Sequence, residues 1–266
     1  DVCGLQYVDA IPAPAEIEAI YGAEFFDVGG KFGDVPASAG RTNAHERVDR
    51  LLALPGIRRE QWLDVGCATG DFLRDAAAAV EHVAGVELSQ FAAGRVRDSG
   101  VEVTAGDFLE VDLAPESVDV ITMWDYIEHV PAPARHLRKA FETLRPGGYL
   151  ALSTGDASSL VARAMGRFWH LMIPPRHLYF FSPDALRRLM AASGFEVVSI
   201  ARPGKRVPVD FMAWKLAVMT VPPLARTALR WAGAAGLGRV SLRLNLGDIL
   251  TLCARKPGRP AAPPAA

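Results

Sequence analysis

Gln61-Trp62-Leu63-Asp64-Val65-Gly66-Cys67-Ala68-Thr69-Gly70-Asp71-Phe72 is the stretch from which the fold can be read. Trp62 to Val65 reads as a short buried strand, and a helix is expected from Asp71 through the following alanines to about Val80. Between them, Gly66 and Gly70 allow a tight turn in which backbone comes close to a ligand. The helix N-terminus beyond the turn offers unpaired N–H groups to whatever lies in the crevice. Such a turn marks a nucleotide-type cofactor site without saying which cofactor.

Spacing narrows the choice. A dinucleotide fingerprint would place glycines at 66, 68 and 71, where this chain has Gly66, Ala68 and Asp71. The pattern is instead Asp64-x-Gly66-x-x-x-Gly70, with an acid just inside the strand end. Asp64 and Asp71 would repel a pyrophosphate and suit a cofactor bearing an ammonium or sulfonium group. Leu63 to Gly70 resembles the first motif of class I S-adenosylmethionine (SAM)-dependent methyltransferases. Glu128-His129-Val130-Pro131 and Leu144-Arg145-Pro146-Gly147-Gly148 resemble segments that recur in the small-molecule members, including the ubiquinone-pathway type. His177-Leu178-Tyr179-Phe180-Phe181-Ser182 is similar to a segment of methyltransferases from polysaccharide and glycolipid clusters. Together the motifs cover about residues 46–200.

Strands are expected at His82–Leu88, Val101–Ala105, Val118–Asp125, Tyr149–Ser153 and Phe195–Ile200. Helices are expected between them, near 43–54, 89–98, 133–144 and after Ser182-Pro183-Asp184. This alternation predicts an α/β fold with a doubly wound parallel sheet. The resemblance implies a Rossmann-like, seven-stranded sheet whose last strand, at Ile249–Ala254, runs antiparallel beside the fifth. Residues 1–45, without a clean strand, read as an N-terminal cap, 46–206 as the core and 241–256 as its final strand. Residues 207–240 read as a helical insertion and 257–266 as a disordered Pro/Ala-rich tail. Pro222-Pro223 interrupts the insertion, so no run reaches the ~20 apolar residues of a membrane span. A lid, a docking face or a peripheral membrane contact through 207–237 remain open.

Open α/β sheets bind ligands at the C-terminal ends of their strands. A carboxylate at Glu87 can accept from both hydroxyls of a ribose, with Leu88 beside it. By resemblance, Asp107 accepts from an adenine amino group while Phe108 packs near the ring. By the same resemblance Asp64 and the backbone of Gly66 would hold the amino-acid end of SAM, and Cys67, Ala68, Gly70, Trp124 and Asp125 complete the expected cofactor set. Cys67 reads as structural rather than nucleophilic. Acceptor contacts are expected from Tyr21, Phe25, Tyr126, Trp169, Arg176 and Tyr179, although Tyr21 and Phe25 can equally anchor the cap and Arg176 can pair with a surface acid. His177 or His129 is the candidate general base, since histidine titrates near neutrality. The alternative role of each is to shape its loop by hydrogen bonding.

Half of the 266 residues are hydrophobic and the formal net charge is −1, which argues against a nucleic-acid-coating surface. Cys3, Cys67 and Cys253 show no metal-ligand spacing, so no metal is expected. Cys3-Gly4 is at most the last trace of the zinc ribbon that precedes some related methyltransferases. Reduced cysteines and no visible leader suggest a cytoplasmic protein. The leading expectation is transfer of a methyl group from SAM to O, N or C of a small molecule, sugar or lipid-linked saccharide. The alternatives are an NAD-dependent oxidoreductase on a similar sheet and a SAM-binding scaffold without activity. Oligomeric state is left open.

Overall fold

Residues 4–26, 38–209 and 241–258 are described by the structure, a computed structural model. The chain opens with β1 (Gln6–Tyr7), α1 (Pro14–Ile20), α2 (Ala23–Phe26) and α3 (Ser38–Leu52). The alternating region follows: β2 (Gln61–Val65), α4 (Asp71–Ala77), β3 (His82–Glu87), α5 (Gln90–Asp98), β4 (Glu102–Ala105), β5 (Val118–Trp124), α6 (Pro133–Thr143) and β6 (Leu144–Gly155). After α7 (Leu160–Met165) and a 3-10 turn come β7 (Tyr179–Phe180), α8 (Pro183–Ala192), β8 (Glu196–Ala201), β9 (Lys205–Pro208), β10 (Ser241–Leu244) and β11 (Ile249–Arg255).

Seven strands form one sheet in the order β4-β3-β2-β5-β6-β11-β8, with β11 antiparallel to both neighbours. This is the class I methyltransferase arrangement expected from the sequence. Period-two alternation sorts the sheet's side chains into two layers. Leu63, Val65, Ile121 and Met123 face α6 and α8 through Leu137, Ala140, Leu186 and Met190. Trp62, Val120 and Trp124 face α3 and α4 through Val48, Leu51, Phe72 and Ala76. β5 is largely apolar because both of its faces are covered, and its polar Asp119 and Thr122 are buried with partners in Arg58, Arg145 and Asp64. The strand order reverses between β2 and β5, opening a crevice at their C-terminal ends.

Several boundaries differ from expectation. The N-terminal region contains a strand after all, with β1 pairing antiparallel to β7. Two residues are too few for a periodic signal. Val207 and Pro208, expected to open a helical stretch, belong to β9, which pairs with β10. The rest of the expected insertion, from 210 to 240, lies outside the described residues, as do 27–37 of the cap and 259–266 of the tail. Only Ile249–Arg255 of the expected final segment joins the large sheet. The fifth strand starts at Leu144, and Pro146-Gly147-Gly148 forms a register shift within it rather than a separate stop.

Candidate functional site

The glycine turn is built as its residue types require. Gly66 has φ +72° and a side chain there would meet the Tyr126 ring at 2.4 Å. Gly70 takes φ +79° as the residue before α4. Ala68 also sits in the left-handed region, at φ 49°, and so does Asp125, at φ 51°, after β5. Both strained residues line one cavity of about 600 Å³, the size of a small-molecule site.

Of the residues expected to hold a cofactor, Asp64, Gly66, Cys67, Ala68, Glu87, Leu88, Asp107, Phe108, Trp124 and Asp125 line this cavity. Gly70 is not among the lining residues and acts through the turn. Glu87 is buried, with Oε2 accepting from Ala68 N at 2.8 Å and Oε1 from Ser89 N at 2.9 Å. Burial raises its carboxyl pKa, while the N–H groups of Ser89, Ala68 and Leu88 oppose the rise. The two oxygens offer about four lone-pair sites, so these three N–H groups leave acceptor capacity for a hydroxyl donor. Asp64 accepts from Thr122 Oγ1 at 2.5 Å, and burial pushes its carboxyl up to about 7 against that bond. Cys67 packs on the bare backbone of Gly85, where a side chain would lie 2.7 Å from its sulfur. Burial raises its thiol, in keeping with a structural role.

Arg47 and His136 also line the cavity and were not foreseen. Arg47 lies 4.6 Å above the Trp124 ring and donates to Asp125 at 3.0 Å. Its signal was present: a cation within the apolar helical stripe Ala44, Arg47, Val48, Leu51. His136 had none. Its Nδ1 lies 2.9 Å from the Tyr126 hydroxyl, and burial brings its pKa down to about 4. Trp124 Nε1 is buried without a partner.

The expected acceptor contacts divide. Tyr21, Phe25 and Tyr126 line the cavity; Trp169, Arg176 and Tyr179 do not. Trp169 is buried and donates to Asp248 at 3.0 Å, and the Tyr179 hydroxyl donates to the Pro131 carbonyl at 2.8 Å. Both aromatics therefore fasten the chain between β6 and α8 to its surroundings. The Arg176 guanidinium lies 5.4 Å over the Phe25 ring, behind the wall.

The histidines divide too. His129 lines the cavity, with Nδ1 at 3.0 Å from the Arg176 carbonyl and 2.7 Å from the Tyr21 hydroxyl. The Arg176 carbonyl can only accept, whereas the Tyr21 hydroxyl can donate or accept. The Asp125 backbone also bonds the ring, so the imidazole is held from several sides. Burial lowers the His129 pKa, leaving it neutral at neutral pH. His177 stands behind it, ring centroids 4.6 Å apart, and is not among the lining residues. The Leu171 carbonyl takes its N–H, and burial with His129 beside it lowers its pKa to about 4. Among the described residues, Glu128, His129 and His177 bring potential ligand atoms within 4.8 Å of one another, and Glu128 Oε2 is buried and unpaired. A divalent cation could be held there. Cysteine spacing could not reveal this set, which comes from two distant loops.

Comparison with known proteins agrees with this geometry. A family described as a methyltransferase domain matches residues 38–200. The ubiquinone biosynthesis O-methyltransferase of Aromatoleum aromaticum is 28% identical over 167 residues, covering 58% of this chain and 71% of the relative. That of an Azoarcus species is 29% identical over 206 residues, covering 71% and 85%. Among solved structures, a SAM-dependent methyltransferase of Thermotoga maritima, described as a possible histamine N-methyltransferase, aligns with TM-score 0.54 at 22% identity over 82% of this chain and 91% of that one. The cyclase SpnF aligns with TM-score 0.56 at 18% identity over 80% and 81%. The chain belongs to the methyltransferase-domain family and is a SAM-dependent methyltransferase. The oxidoreductase alternative falls with that assignment.

Proposed function

We propose that the cavity binds SAM and that the enzyme methylates an oxygen, or less readily a nitrogen, of a small molecule, sugar or lipid-linked saccharide. The observation that carries this is one cavity lined by both Glu87, a buried carboxylate with acceptor capacity to spare, and His129, an imidazole kept neutral by burial. The donor set fits the cofactor. Glu87 would accept from ribose hydroxyls, Asp107 from the adenine amino group, and Phe108 with His136 would flank the ring. Arg47 and the unpaired Trp124 Nε1 supply donors for a carboxylate. When bound, SAM supplies an electrophilic methyl group on a sulfonium.

The chain's own contribution is position and proton handling. Tyr21, Phe25 and Tyr126 would hold the acceptor against the wall that carries His129. The His129 imidazole would accept the hydroxyl proton while the Arg176 carbonyl and the Tyr21 hydroxyl hold the ring in place. His177, though first expected as a base, is placed by this reading as a positioning residue that packs against His129. The relatives' naming as O-methyltransferases supports oxygen over nitrogen. The test incubates the protein with methyl-labelled SAM and simple catechols, comparing wild type with His129→Asn. Label on the hydroxyl and a drop of about 10²- to 10⁴-fold in kcat for the variant are expected. Equal turnover by both proteins would overturn the role of His129.

A further inference from the structure

Leu160 is 83% exposed and Phe168 71%, and Met165 and Ile173 are exposed as well. Leu160, Met165 and Phe168 belong to α7 and the 3-10 turn that follows it, a segment pinned at both ends, and Ile173 lies in the loop just beyond. At its start Ser159 Oγ accepts from Ala162 N at 3.1 Å. At its far side the buried Trp169 is tied to Asp248. Between these pins only Ala162 of α7 is buried, and no residue of the 3-10 turn is. Isolated exposed leucines need no explanation, but four large apolar side chains held outward between residues 160 and 173 do.

The charge around them has one sign. Residues 157–183 contain no acid, and Arg163 and Arg167 are exposed one helical turn apart. The Arg167 guanidinium lies 4.7 Å over the Phe168 ring, so cation and aromatic share one spot. α7 is about 9 Å long, far short of a span. No helix among the described residues is long and apolar enough to cross a membrane.

We propose that residues 160–173 form a peripheral docking surface for an anionic lipid bilayer. Leu160, Met165 and Phe168 enter the headgroup boundary, and Arg163 and Arg167 pair with lipid phosphates. A second copy of this chain is a poorer occupant, because a two-fold contact sets these arginines against their own counterparts. Residues 211–240 contain Lys215, Arg226, Arg230 and Arg239 and no acid, so their sequence offers no charge complementary to these arginines. The surface differs from the 207–237 stretch that the sequence first suggested for membrane contact. Its loop continues to Arg176, whose carbonyl orients His129, so docking and cavity wall share one segment.

The test co-sediments the full chain with vesicles of phosphatidylcholine containing about one-third phosphatidylglycerol, and with phosphatidylcholine alone. Binding to the anionic vesicles alone is expected, weakening in about 0.5 M salt. Leu160→Ser/Phe168→Ser and, separately, Arg163→Glu/Arg167→Glu should each weaken it by at least about tenfold, with thermal melting as the check on folding. No co-sedimentation, equal binding to neutral vesicles, or binding undiminished in both variants overturns the proposal.

Discussion

His129 and Glu87 are both held by backbone, His129 against the Arg176 carbonyl and Glu87 by the N–H groups of Ala68 and Ser89. Because burial lowers the His129 pKa, its basic form persists across neutral pH. Turnover should therefore be flat above about pH 7 and fall only on the acid side, below the ordinary histidine value. A pH–rate profile with its acidic limb above pH 7 would contradict this. Glu87→Gln should weaken S-adenosylhomocysteine binding about 10- to 100-fold while the fold survives, since the amide oxygen still accepts one of the two N–H groups. Unchanged affinity would mean that Glu87 only braces the turn. Glu87 and Asp107 were legible because a strand end fixes where an acid points. His129 and His177 were not separable, since only the Leu171 and Arg176 carbonyls decide which ring faces the cavity. Trp169 misled for a related reason: its partner, Asp248, comes from a distant part of the chain.

At the scale of elements, the β2–α4 turn is the most constrained piece of the molecule. Gly66→Ala would meet the Tyr126 ring and strain a positive φ, costing about 1–3 kcal/mol of stability and with it cofactor affinity. Chemical denaturation of the variant checks this, and a loss below about 0.5 kcal/mol would show that the ring can give way. The sequence announced this turn, and also the strand order, because alternation of buried strands with amphipathic helices leaves few ways to pack. The β9–β10 hairpin was invisible from sequence. Its strands lie more than thirty residues apart, and Asn43 of α3 helps to dock it by bonding the backbone of Arg206 on both sides. β1 and β7 were missed because each is only two residues long.

For the molecule as a whole, buried carboxyls and buried histidines pull the pH response in opposite directions. Burial raises Glu128 to about 8, with Asp125 adding to the rise, and Asp64 to about 7. Each is protonated in the folded chain where the unfolded chain has lost its proton, so these two contribute a fall in stability as pH rises from about 5 toward 8. His136 and His177, neutral in the fold down to about 4, contribute a rise that ends near the ordinary histidine value. Glu128→Gln should flatten that fall by about 1.4 kcal/mol per pH unit, read from urea midpoints between pH 5 and 7. An unchanged slope would place the proton elsewhere. The central claim is that the cavity at the ends of β2, β3 and β5 is a SAM site read by Glu87 and served by His129. Calorimetric titration of wild type, Glu87→Gln and His129→Asn with S-adenosylhomocysteine, and with NADH as the control, tests it most directly. One-to-one binding of S-adenosylhomocysteine by wild type and His129→Asn is expected, with Glu87→Gln much weaker and no heat from NADH. Binding of NADH instead, or equal affinity in all three proteins, would contradict it.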